Sequence, residues 1–122
     1  VLPIHPNPNV YKHREILTDV KVVSPLEYNS FIELLAKAKF VITDSGGIQE
    51  ETSFFFKKCI VCRKATERSE GLGVFSFLCE TPDHLEDLFN TINDDYIPNG
   101  ECPYGDGYAA ESILEYLLEK KF

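Results

Sequence analysis

The sequence predicts an α/β domain built on a doubly wound parallel sheet, and three observations carry that expectation. Short strand-like runs, the β-branched VKVV at 20–23 and the apolar FVIT at 40–43 and CIVC at 59–62, point to a helix-covered parallel sheet, whose strands are buried on both faces. Segments with apolar residues at helical spacing lie between them, so strand and helix alternate. The 122 residues, 43% hydrophobic and 26% charged, suffice for one domain core and are not a disordered composition.

Taken in order, residues 1–4 form a short apolar run, ended by HPNPN at 5–9. Its prolines and asparagines predict a rigid loop. Residues 10–17 predict a short helix, and 20–23 a β-branched strand stopped by Ser24-Pro25. Within 28–38, Phe31, Leu34, Leu35 and Ala38 share one helical face. The strand at 40–43 runs straight into DSGG, and a helix follows over 48–56. Strands are expected at 59–62 and 74–78. Residues 82–92 predict a helix with Pro82 in its first turn and Leu85, Leu88, Phe89 and Ile92 on one face. Residues 94–107, rich in Pro, Gly, Asn and Asp, predict a loop, and 109–118 a closing helix carrying Ile113, Leu114, Leu117 and Leu118. Sheets of this kind bind ligands beyond the carboxyl ends of their strands.

Composition narrows the function classes. Lys and Arg number 12 against 20 Asp and Glu, a formal net charge of −8, which is no electrostatic footprint for nucleic acid. No apolar run approaches the ~20 residues that cross a bilayer, and no basic-then-apolar leader opens the chain. Neither nucleic acid nor a membrane is an expected partner. Cys59 and Cys62 form a CxxC, but Ile60 and Val61 between them make it a strand, which sends the two sulfurs to opposite faces. With Cys79 and Cys102 they are expected as buried, reduced thiols, and no metal-ligand spacing accompanies them. The chain contains no Met and opens at Val1 inside an apolar run, which suggests a piece of a longer protein.

The stretch FVITDSGGIQEE, 40–51, carries the chemistry. A buried strand ends at Thr43, a small-residue turn follows, and a helix begins that Asp44 or Ser45 can cap. Gly46 and Gly47 have no Cβ, so a ligand can approach the backbone. The first helical amides suit an anion, most simply a phosphate or diphosphate. Neither Walker A nor GxGxxG is present. Glu50 and Glu51 follow within one turn, pointing about 100° apart. One reading has Glu51 accepting from neighbouring ribose hydroxyls; the other has both carboxylates simply favouring the helix dipole. The residues alone leave open an anion site or an ordinary strand–helix turn.

Two further loops carry polar residues, the first of them at the carboxyl end of a strand, as the DSGG turn is. ATERSE, 65–70, offers Arg68 as a fork for phosphate or carboxylate, or else a solvated loop in which Glu67, Arg68 and Glu70 pair loosely. CPYGDGYA, 102–109, reads as a loop whose Asp106 caps the last helix. His5, His13 and His84 are scattered, and no Ser-His-Asp or Cys-His arrangement is formed by spacing.

HPNPNV (5–10), SPLEYNSF (24–31), TDSGGIQEE (43–51), R-x-x-TER (63–68) and PYGDG (103–107) occur together in this order. The set resembles the non-hydrolysing UDP-N-acetylglucosamine 2-epimerases over nearly the whole chain. The resemblance implies a Rossmann-like sheet forming the later part of the second domain of a GT-B two-domain fold, of the UDP-glycosyltransferase and phosphorylase type. Residues 1–122 would then be a C-terminal UDP-binding domain, incomplete at its N-terminus, with the first domain absent. Ser45, Gly46 and Gly47 would hold the diphosphate, Glu51 the ribose hydroxyls, Leu26 and Phe31 the uracil, and Arg68 the phosphates. His5 matches a histidine of a second, allosteric UDP-sugar site.

The family reaction implied is C2 proton abstraction with anti elimination of UDP, giving a 2-acetamidoglucal to which UDP re-adds on the reversed face. It interconverts UDP-GlcNAc and UDP-ManNAc, or a related UDP-HexNAc pair, for glycan or capsule precursors. No cofactor or metal is implied, and the whole protein would be a cytoplasmic homodimer whose partner is a UDP-sugar. Its acid/base carboxylates and an HRRE-like histidine belong to segments upstream, so no catalytic residue is expected in this chain and the isolated chain is expected to be inactive. Departures from the family pattern are Ser69 for a proline after TER, Phe54-Phe55-Phe56-Lys57-Lys58 where a small residue before Lys-Pro is usual, a shortened stretch after Glu70, and Cys102 for Asn. The alternatives are the donor-binding domain of a GT-B glycosyltransferase and a non-catalytic UDP-binding module.

Overall fold

A computed structural model describes residues 1–92 and 95–120. The chain divides into two compact units, Val1–Lys37 and Ala38–Phe122.

In the first unit, β1 (Leu2–Pro3) pairs in parallel with β2 (Val22–Val23), Leu2 opposite Val22. Pro3 has no N–H, so the ladder is held on either side of it: Leu2 N donates to the Lys21 carbonyl at 2.8 Å and Ile4 N to the Val23 carbonyl at 3.0 Å. The HPNPN loop is tied locally, since His5 Nδ1 accepts from Asn7 N at 3.1 Å. Asn7 then caps α1 (Pro8–Tyr11), its side chain accepting from Asn9 N at 2.9 Å. The helix expected over 10–17 thus starts earlier and breaks into this single turn and a 3₁₀ turn, Arg14–Ile16. α2 (Tyr28–Lys37) follows, with Leu35 buried.

In the second unit, β3 (Phe40–Thr43), β4 (Lys58–Val61) and β5 (Ser76–Leu78) form a parallel sheet in the order β3-β4-β5. Thr43 stands opposite Val61, and Val61 opposite Leu78. β4 is central, and all its residues are buried. α3 (Gly46–Phe54) makes the crossover from β3 to β4, whereas residues 62–75 connect β4 to β5 without a helix. The parallel α/β class is the one expected; its strands lie in two ladders, one per unit. A 3₁₀ turn, Pro82–His84, leads into α4 (Leu85–Thr91), and α5 (Ala109–Glu119) closes the chain. The core is Ile60, Cys79 and Ile92, flanked by Phe40, Phe77, Leu85, Leu88 and Tyr96. Residues 95–108 carry no helix or strand, as expected for a loop; position 94 lies outside the described residues. Ile113, Leu114, Leu117 and Leu118 on α5 are exposed. Among the described residues no helix is long and apolar enough to cross a membrane.

The FFFKK departure has a backbone counterpart. Phe56 N donates to the Ser53 carbonyl at 3.1 Å and Lys57 N to the Thr52 carbonyl at 2.8 Å, the paired closure that ends a helix on a left-handed residue. Phe56 is that residue, at φ 53°, where glycine is usual. Its ring packs edge-on against Phe75 at 5.8 Å between centroids.

The cysteines are free thiols, and only Cys59 and Cys79 are buried. The expected burial fails at Cys62, because β4 ends at Val61 and the next residue lies on the rim, and at Cys102, which is half-buried. The two CxxC sulfurs do part company, one buried and one exposed. Burial pushes the Cys59 thiol up to about 12, and burial also raises Cys62.

A thiol whose pKa is higher folded than unfolded contributes stability at low pH that is lost as pH rises. Above about pH 8.5, where an unfolded thiol ionises, stability should therefore decline towards pH 12. Denaturant melts of the wild type and Cys59→Ala should show a shallower alkaline decline in the variant. Equal slopes would show that Cys59 does not contribute.

Candidate functional site

The turn after β3 is organised by its first residue. Thr43 Oγ1 accepts from Ser45 N at 3.0 Å, and the Thr43 carbonyl accepts from Cys62 N at 2.7 Å. Ser45 occupies the N-cap position of α3, but the side-chain cap expected of Asp44 or Ser45 is not formed. The local hydrogen bond of the turn is the one from Ser45 N to Thr43, and the Ser45 hydroxyl is not committed to the helix amides.

Gly46, the first residue of α3, is buried beneath residues 63–68. A Cβ there would stand 2.7 Å from Glu67 Oε1, 2.8 Å from Arg68 Nη1 and 3.1 Å from Arg63 Nη1. The missing Cβ thus leaves room for the tips of three side chains from the loop after β4, which a larger residue would displace. Gly47 has space, its nearest such neighbour being Ser45 Oγ at 3.9 Å.

What holds that loop over the turn is Gln49, which is fully buried. Its Oε1 accepts from Thr66 Oγ1 at 2.5 Å, and its Nε2 donates to Ser76 Oγ at 3.1 Å and reaches the Arg68 carbonyl at 3.4 Å. Arg68 N donates to Thr66 Oγ1 at 3.2 Å, and the Tyr104 hydroxyl donates to the Arg68 carbonyl at 3.2 Å. Both backbone groups of Arg68 are therefore tied down. Its side chain is aimed as well: Nε donates to Glu50 Oε1 at 2.5 Å and Nη1 to Glu67 Oε1, while Arg63 Nη1 donates to Glu67 Oε2 at 3.3 Å.

These contacts set the electrostatics. The bond to Glu50, with the charges of Glu50 and Glu67, holds the Arg68 guanidinium above its already high range. The backbone amide of Glu67, then Arg63 and Arg68, keep the Glu67 carboxyl below its ordinary value. Burial raises the Tyr104 phenol, so it stays a donor. Two guanidiniums, a helix N-terminus and glycine backbone at one point can hold an oxyanion.

The structure brings Ser45, Gly46, Gly47 and Arg68 together in the second unit. Glu51, half-buried on α3, follows Glu50, which turns to Arg68. Leu26, Phe31 and His5 belong to the first unit. A cavity of about 730 Å³ there is lined by Ile4, Pro6, Tyr11, Arg14, Ser24 and Pro25 among others, and His5 is not in its lining. Asp106 accepts from Tyr108 N at 3.0 Å; the cap expected on the last helix is not formed, because Tyr108 is itself the N-cap of α5 and Asp106 stands two residues before it. Of the loose pairing read into ATERSE, the Glu67–Arg68 pair is present, and Arg68 bridges on to Glu50 as well. Sequence reasoning missed Gln49, Arg63 and Tyr104. The one signal for Gln49 was its place between the glycine pair and the two glutamates.

The sequence profile of the UDP-N-acetylglucosamine 2-epimerase family matches residues 1–118. The chain is 36% identical to the UDP-N-acetylglucosamine 2-epimerase of Campylobacter jejuni across 99% of its own length and 34% of that protein's. It is likewise 36% identical to the Bacillus subtilis enzyme, over 97% of itself and 34% of the relative. Among solved structures it is similar to an S. aureus MnaA–UDP complex (TM-score 0.84, 34% identity, 96% of this chain and 36% of that one). It is similar also to the Neisseria meningitidis UDP-GlcNAc 2-epimerase bound to UDP-GlcNAc (TM-score 0.74, 35% identity, 97% and 35%). The chain spans about a third of the length of these relatives.

Replacing Gln49 by Leu keeps the volume but leaves Thr66, Ser76 and the Arg68 carbonyl without this partner. Urea denaturation should show a loss of about 1–3 kcal/mol, the cost of buried polar groups left unpaired. An unchanged midpoint would show that the amide does not hold the loop.

Proposed function

This chain belongs to the UDP-N-acetylglucosamine 2-epimerase family, and on that premise we propose that it is the part of the enzyme that holds the nucleotide diphosphate of a UDP-sugar. Its parallel α/β architecture is that of the GT-B-like relatives. The observation that carries the reading is the convergence of Arg68, Arg63 and the α3 N-terminus on Gly46, at the carboxyl end of β3. A diphosphate suits the two guanidiniums and the helix amides in charge and in number of acceptors, with the Glu67 carboxylate as the competing anion at that point. The Ser45 hydroxyl and the amides of Gly46 and Gly47 bind phosphate oxygens, Arg68 neutralises them, and Glu51 accepts from ribose hydroxyls. Leu26 and Phe31 contact the uracil, and His5 belongs to a second UDP-sugar site. The relatives whose structures contain UDP or UDP-GlcNAc support the ligand class.

The whole protein interconverts UDP-GlcNAc and UDP-ManNAc, or a related UDP-HexNAc pair, as a cytoplasmic homodimer serving glycan or capsule precursor synthesis. A base removes the proton from C2 and the C1–O bond to UDP breaks, leaving a 2-acetamidoglucal and bound UDP. Re-addition of UDP with protonation of C2 from the other face completes the inversion. The residues of this chain act on the leaving group: they take up charge as UDP separates and keep it in place for return. Proton transfer belongs to segments outside these 122 residues, so the isolated chain binds UDP at most weakly and does not turn over.

Incubating the full-length protein with UDP-GlcNAc alone in D₂O tests this. Epimer formation with deuterium entering C2 is the expected result. Failure to exchange, eliminate or epimerise any UDP-HexNAc without an added acceptor would overturn it. Glu51→Ala should weaken UDP binding by about 1–3 kcal/mol through lost charge-assisted bonds, read by titration calorimetry. Gly46→Val should harm UDP binding more than the melting temperature, because the atoms its side chain would meet are the tips of Arg63, Glu67 and Arg68. Equal losses of binding and stability would mark the turn as merely structural.

A further inference from the structure

Beyond Arg68, two more side chains of residues 63–68 reach the helix start. Arg63 Nη1 comes to 3.1 Å from the Cβ position of Gly46, nearly as near as Arg68 Nη1 at 2.8 Å. Arg63 immediately follows Cys62, whose amide is tied to the end of β3, so its backbone is anchored at the rim where the turn lies. The Glu67 carboxylate comes nearest of all, 2.7 Å, and bridges the two guanidiniums, Oε1 to Arg68 and Oε2 to Arg63. An anionic group thus already lies where cations and helix amides meet.

The other partner of Arg68 is placed differently. Glu50 rides on α3 and grips Nε, so it can keep the guanidinium oriented when Nη1 changes partner. Glu67 comes from a loop, its side chain 59% exposed, and can swing to solvent without disturbing the core. A diphosphate carries more charge and more acceptor oxygens than one carboxylate, and so competes for the same two forks.

We propose that Arg63 and Glu67 are part of the phosphate site: Arg63 is a second guanidinium for the diphosphate, and Glu67 is a carboxylate that keeps both guanidiniums gathered over Gly46 and is exchanged for the arriving phosphate. This rests on the reading of the Gly46 turn as a UDP site. It assigns Arg63 a role in affinity for phosphate and none in affinity for the nucleoside. It gives Glu67 the opposite sign from Glu51: removing the Glu67 charge favours the ligand, whereas removing that of Glu51 opposes it.

Titration calorimetry of the full-length protein and its Arg63→Ala, Arg63→Lys and Glu67→Gln variants, with UDP, inorganic pyrophosphate and uridine, tests the assignment. Arg63→Ala should weaken UDP and pyrophosphate about tenfold or more, with Arg63→Lys between it and wild type and uridine unchanged. Glu67→Gln, which keeps the shape and removes the charge, should tighten UDP and pyrophosphate about fivefold. Melting curves identify any variant that fails to fold, and Arg63→Lys and Glu67→Gln are the conservative pair for that case. Wild-type affinity in both arginine variants, equal weakening of UDP and uridine, or weaker binding in Glu67→Gln would overturn the proposal. If the wild type binds pyrophosphate but not UDP and the variants behave as stated, the cradle stands and the nucleotide reading fails. If it binds neither, both fail.

Discussion

Gln49 has no exposed surface, so its amide must find all its partners inside the protein, and it finds them on two other segments. Thr66 and the Arg68 carbonyl belong to the loop after β4, and Ser76 opens β5. Around it, Thr52 and Ser53 donate their hydroxyls to the Gln49 carbonyl at 3.1 Å and 2.7 Å, so the helix segment that carries it is saturated as well. Through one side chain, α3, β5 and the 63–68 loop are set in a single arrangement. The position of Arg68 over Gly46 follows from that arrangement, and a larger residue at Gly46 would displace the tips of Arg63, Glu67 and Arg68 gathered there.

The polarity of the sheet does the rest. In parallel order β3-β4-β5, every strand delivers its following segment to the same edge. After β3 that segment is a turn opening a helix; after β4 it is a loop carrying two arginines. The connection from β4 to β5 contains no helix, and Thr66 and Arg68 of it bond to Gln49 and Glu50 of α3. The ion pairs at this edge reach solvent, Arg68 with 27%, Glu50 with 47% and Glu67 with 59% of their side chains exposed. They contribute little to stability. Their effect is to aim guanidiniums, and the strength of aim comes from the buried amide and the Tyr104 hydroxyl behind them.

The parts legible in the sequence were those fixed by local pattern. The apolar run 40–43 and the glycine pair after it identified a strand, a turn and a helix start, and all are present, with α3 beginning at Gly46 instead of 48. Helical spacing found α2, α4 and α5 to within a few residues. What escaped depended on distant partners. A glutamine between Ile48 and Glu50 has no local mark of burial; only Thr66, Ser76 and Arg68, 17 to 27 residues away, give it one. Arg63 was hidden for the same reason, its contact with Gly46 being a property of loop geometry. Cys62 was expected inside because CIVC reads as one apolar run, but pairing with β3 and β5 ends at Val61. The side-chain cap at Ser45 is missing although its backbone N–H is bound by Thr43, two residues back.

The central claim is that the Gln49-held loop and the start of α3 together form the seat of the UDP diphosphate. The most direct measurement is a crystal structure of the full-length protein with UDP. The account predicts phosphate oxygens within hydrogen-bond distance of the Gly46 or Gly47 amides and of the Arg68 guanidinium, with the Gln49–Thr66 bond intact. UDP seated elsewhere, or seated there only after Thr66 has parted from Gln49, would contradict it.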